Sequence, residues 1–143
     1  MAYCTLAQML VQYGEPMLRD ATDRADAATG DVDEAAVERA IASADALIDG
    51  YLKVRYALPL GDTPALVNEL SMTIALYKAH PRVADEKVQR DYDNALKLLT
   101  QISKGDIKLD AAGAEPASAG TSGVRITPDR EPHFTSDKLK GYI

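Results

Sequence analysis

Tryptophan is absent from these 143 residues, phenylalanine occurs once, and seven tyrosines bring the aromatic share to only 6%. So thin a supply cannot lay the stacking platforms that hold single-stranded nucleic acid. Positive charge is also scarce, with a formal net charge of −6. No stretch gathers lysine and arginine on one helical face, which is what a helix-turn-helix regulator needs for its recognition helix. Cysteine occurs once, at Cys4, so no intrachain disulfide can form and nothing points to an oxidising compartment. No apolar run approaches the roughly 18 residues of a membrane span, and the first residues lack a basic stretch followed by an apolar one. The expectation is a soluble protein made in a cytoplasm, with no membrane partner.

The residues of site chemistry are just as sparse. The two histidines, His80 and His133, have no cysteine or carboxylate pair at metal-ligand spacing. His80 reads as a helix-end residue that favours the helix dipole. No glycine-rich phosphate loop or nucleophile elbow occurs, and Cys4 has no histidine placed to activate it. Asp23 to Glu34 has the twelve-residue length and acidic ends of a calcium loop. Ala25, Ala27 and Ala28, however, stand where ligands and the turn glycine belong. The expectation is a protein without catalytic residues, metal or cofactor. A ligand-binding enzyme subunit is the rival that a metal analysis of the purified protein would screen.

What the sequence does hold is helical periodicity. Thr5 caps a helix "LAQMLVQY" that Gly14 ends, and "EPMLRDAT" adds a turn with Pro16 near its start. After a polar loop, Asp31 and Glu34 suggest an acidic capping box. Val37, Ile41, Ala44, Ile48 and Tyr51 or Leu52 then recur at steps of four and three. That helix is expected to end near Tyr56–Leu58, because Pro59 disfavours helical geometry in the residue before it. Thr63 and Pro64 open a third long stretch, with Leu66, Leu70, Ile74 and Tyr77 on one face and Pro81 as its stop. A last helix is expected from about Val83 to Lys104, ended by Gly105. The fold class is all-α: a small bundle of about four to five helices over residues 1–109, with an extended carboxy-terminal arm.

From residue 110 to 123 the chain is a small-residue linker, poor in apolar bulk. Beyond it, 124–143 regains character: Val124–Thr127 alternate like a short strand, and "SDKLKGY" suits a helical turn. Val124, Arg125, Ile126, Phe134, Leu139 and Tyr142 are the arm residues expected to bind a partner, by strand addition. The second candidate surface is the hook that closes "ALIDGYLKVRYALPL", formed by Tyr51, Arg55, Tyr56, Leu58 and Leu60. Tyrosine and arginine are favoured at protein interfaces, yet the same residues also serve as core. Both roles stay open here, with Tyr56 expected to turn inward and Arg55 outward.

These segments carry a resemblance. "AYCTLAQMLVQYGE", the "TDR" before the acidic loop, "ADALIDGYLKVRYALPL", "IALYKAH" and "RDYDNALKLLTQISKGDIKL" occur in that order, with a shorter echo in "HFTSDKLKGY". Over residues 1–109 the chain resembles the Mu-like prophage connector family of tailed phages. The resemblance implies a structural virion protein of the neck: a head–tail connector, or adaptor, that docks as a ring on the portal protein. It also implies self-association, dodecameric to match the portal, and contact with a tail or head-closure protein below. A head-closure or tail-completion protein is the nearest alternative. DNA would be a passing strand in the lumen, repelled by acidic walls, unless the acids simply keep the surface soluble.

Overall fold

Thr5 begins the first helix as its sequence suggests. Its hydroxyl accepts the Gln8 N–H, and the Gln8 side chain accepts the Thr5 N–H in return, closing a capping box. In the computed structural model, which describes residues 2–23, 30–80 and 84–110, five helices follow one another: α1 Leu6–Tyr13, α2 Glu15–Thr22, α3 Glu34–Leu52, α4 Ala65–Ala79 and α5 Glu86–Lys104. No strand occurs among the described residues. The expected strand at Val124–Thr127, the linker and the arm lie outside them, as does Val83.

Four boundaries depart from the sequence expectation; the simplest is α5, which begins at Glu86 after Asp85 and not near Val83. The cap of α3 is Asp33 rather than Asp31: its Oδ1 accepts the Ala36 N–H at 2.9 Å. The Thr22 hydroxyl, which donates to Leu18 O, also accepts the Asp33 N–H and so fixes the entry of α3 against the end of α2. α3 ends at Leu52, short of Tyr56, because both Arg55 and Tyr56 direct their N–H groups to Leu52 O and wind the chain into a turn. Thr63 makes no cap on α4; Pro64 holds that position, and its carbonyl accepts the Asn68 N–H.

Packing explains the order of burial. α4 lies among α2, α3 and α5 and is buried on most of its circumference, with Val67, Leu70, Ile74 and Leu76 in the core. α5 is amphipathic: Val88, Ala95, Leu99 and Ile102 face inward. Its outer face holds the exposed pairs Lys87–Asp91 and Arg90–Glu86, worth only a few tenths of a kcal/mol, on the order of 0.3–0.5 each. Ala21, Ala40 and Ala79 form a small cluster where α2, α3 and α4 meet, since alanine lets helix backbones approach closely. Tyr77 and Tyr92 stack with ring centroids 4.0 Å apart and 13° between planes, joining α4 to α5.

Candidate functional site

The hook turns into its own bundle. Tyr56 is only 4% exposed, and its hydroxyl accepts the Leu109 N–H at 2.9 Å. Leu60 is buried, while Tyr51 and Leu58 are half-buried against the same core. Tyr56 therefore faces inward, as expected. Arg55 does not face outward. It reaches across to α5 and donates from Nη1 to Lys104 O at 3.2 Å, so its positive charge sits at the negative end of the α5 dipole. Its guanidinium lies where a Cβ on Gly105 would be, 2.2–2.8 Å from that position. Among the described residues, its buried Nε has no hydrogen-bond partner.

Gly105 meets a second demand, because its φ of +88° is the left-handed conformation that closes α5. Gly105→Ala is expected to lower stability by about 1–2 kcal/mol, through left-handed strain and displacement of Arg55. Urea unfolding of Gly105→Ala, Arg55→Ala and the double variant measures this. Additive losses would show that the two positions are not coupled.

At the other side of α3, a polar cluster holds the amino-terminal strap, residues 2–5. Asp45, 6% exposed, accepts the Tyr3 N–H on Oδ2 at 3.3 Å and the Ser71 hydroxyl on Oδ1 at 2.8 Å. The Tyr3 hydroxyl donates to Asp49, and Asn68 Nδ2 donates to Tyr3 O at 2.7 Å. Burial raises the pKa of the Asp45 carboxyl above the usual carboxylate range, although its two hydrogen bonds pull the other way. Burial, then the bond to Asp49, pushes the Tyr3 phenol up. Burial also raises the Cys4 thiol, which keeps Cys4 protonated and a poor nucleophile at neutral pH. Ser71 is fully buried beside it, so this group is suited to fastening rather than to attack on a substrate.

Sequence patterning passed over this cluster, yet it left a signal: Asp45 stands between Ile41 and Ile48 on the buried stripe of α3. A carboxylate on an apolar face needs donors, and Ser71 and the strap provide them. The acidic loop gives no cation site among its described residues. Asp23 Oδ2 accepts the Gly30 N–H at 3.1 Å, and no group of three or more His, Cys, Asp or Glu side chains is placed to hold a metal among the described residues. No helix there is long and apolar enough to cross a membrane. Of the arm residues, Val124, Arg125, Ile126, Phe134, Leu139 and Tyr142 all lie outside the described residues, as does His133.

Two exposed valines mark surfaces the bundle leaves bare: Val11 on α1 at 89% and Val54 beside the hook at 69%. The outer face of α3 is bare as well. Glu38, Ala42, Ala46 and Gly50 are exposed at steps of four, Val54 follows just past the helix end, and a Cβ at Gly50 would meet nothing within 4 Å. Gly50 thus has no close-packing partner within the described bundle.

Comparison of the sequence with known proteins finds relatives among phage and prophage proteins. Gene product J of Escherichia phage Mu is 30% identical over 144 aligned residues, covering 100% of both chains. The Mu-like prophage FluMu protein gp36 of Haemophilus influenzae is 35% identical over 95 residues, covering 66% of this chain and 67% of its own length. Residues 3–127 match the protein family described as Bacteriophage Mu, Gp36. The chain belongs to that Mu phage protein family.

Proposed function

We propose that the protein is a structural component of the phage neck, an adaptor that docks as a ring of copies on the portal and joins the head to the tail or to the next neck protein. Membership in a Mu phage family carries this reading. The helical bundle suits it, because its hook is internal and its apolar outer surfaces, around Val11 and Val54, are left for neighbours. In such a ring the carboxylates that give the chain its net charge of −6 would keep passing DNA from adhering.

Binding to a purified portal ring, followed by co-sedimentation, tests the proposal. The full chain is expected to bind the portal directly. Binding only to a portal already carrying another neck protein would move this chain one layer down, to head closure. Removing residues 111–143 retains Leu109 and its bond to Tyr56. The truncated chain should therefore keep its helicity while losing about ten-fold or more in portal affinity, some 1.4 kcal/mol. Unchanged affinity would assign docking to the bundle and remove the arm from this reading.

A further inference from the structure

Between the amino-terminal strap and the outer face of α3 runs an open groove of about 610 Å³. Its apolar lining includes Leu6, Ala42 and Ala46, and its carboxylates are Glu38, Asp45 and Asp49. Among the described residues, no lysine, arginine or histidine lines it. Asp45 is already engaged by Tyr3 and Ser71, and Asp49 by the Tyr3 hydroxyl. Glu38 is exposed and makes no salt bridge among the described residues. The positive amino terminus acts on Asp45, which leaves Glu38 and Asp49 without a cation among the described residues. An apolar trough with that excess of negative charge selects a bulky apolar side chain flanked by cations.

The chain contains such a ligand. Within residues 111–143, Lys138-Leu139-Lys140-Gly141-Tyr142 combines two apolar groups and two positive charges in five positions. We propose that this carboxy-terminal segment seats in the α3 groove of its own bundle, with Leu139 in the trough and Lys138 and Lys140 meeting the charge of Glu38 and Asp49. Reach favours it. Leu109, near the end of the described residues, is tied to Tyr56 just past the end of α3. Ala46 lies only about 9 Å along the α3 axis from Leu52. The 29 residues from Ala111 to Leu139 can extend up to about 100 Å. Tethering also raises the local concentration of the segment towards the millimolar range, so a contact of modest intrinsic affinity is populated.

The contact would act as an intramolecular cover. While the segment occupies its own groove it is withheld from other partners, and a partner must compete for it. The inference concerns the isolated chain and stands whether or not the portal is that partner.

Disulfide trapping in the full chain tests it. In a Cys4→Ala background, Ala46→Cys with Leu139→Cys is compared with Asn94→Cys with Leu139→Cys, whose first position is on the outer face of α5. Circular dichroism checks that each variant is folded. The 46–139 pair is expected to oxidise within one chain at least about five-fold faster than the 94–139 pair, and Glu38→Lys should erase most of that advantage. Equal rates, or disulfides predominantly between chains, would overturn the proposal. Leu139→Asp in the otherwise natural chain gives a second readout that does not depend on Cys4. The Ala42 and Ala46 methyl resonances should shift, and unchanged resonances would also overturn it.

Discussion

Tyr56→Ala is expected to destabilise the bundle by about 3–5 kcal/mol, the cost of emptying a buried aromatic site. The loss has two sources. One is apolar: the ring is 4% exposed and packs in the same core as Leu52, Leu60 and Ile102. The other is polar: without the phenol, the buried Leu109 N–H loses the acceptor it has at 2.9 Å. Tyr56→Phe separates them, because it keeps the ring and removes only the hydroxyl, for about 1 kcal/mol. Chemical unfolding followed by far-ultraviolet circular dichroism measures both. A Tyr56→Ala protein as stable as the parent would mean that the hook is not part of the bundle core. At about 0.05–0.15 kcal/mol per residue for a natural domain, a loss of this size leaves little of the fold in reserve. Any assembly defect in Tyr56→Ala must therefore be read against its folded fraction.

The second large effect sits at Asp45. Asp45→Ala leaves the Tyr3 N–H without its acceptor and the Ser71 hydroxyl with only Cys4 Sγ, at 3.3 Å, and is expected to lower stability by about 1–3 kcal/mol. Asp45→Asn is the more informative variant because it keeps the shape and removes the titration. In the folded chain, burial holds the Asp45 pKa above its ordinary value, so folding favours the protonated form. That contribution is fully present below the unfolded pKa of about 3.9 and is lost as pH rises through the raised folded value. The parent should therefore lose stability relative to Asp45→Asn as pH goes from about 4 towards neutrality. Stability curves that stay parallel over that range would show that Asp45 titrates alike in the folded and unfolded chains.

Most of the helical framework was legible in the sequence because its signals are local. Thr5 with Gln8, Gly14, Pro64 and Gly105 mark helix ends through geometry that involves only near neighbours, and the stripes of α3 and α5 follow from a period of 3.6. The misplaced boundaries were decided from outside the local segment. The start of α3 at Asp33 depends on Thr22, in another helix. Pro59 pointed to a stop near Tyr56–Leu58, but α3 ends at Leu52, where the turn carries Tyr56 into the core. The destination of Arg55 was not legible at all, because its partners, Lys104 and Gly105, lie some fifty positions away. The polar fastening of the strap was half-legible. Asp45 on an apolar stripe is a signal that donors must exist, one the patterning passed over, and it does not tell that they come from Tyr3 and Ser71.

The bond between Tyr56 and Leu109 spans 53 positions of chain, and this gives the fold a timetable. A ribosome adding about 5–20 residues per second needs roughly 3–10 s to cover that interval. Until then Tyr56 and Leu60, both buried in the finished fold, lack the residues that close over them. The bundle is therefore expected to close late and in one step, when the residues just past α5 arrive.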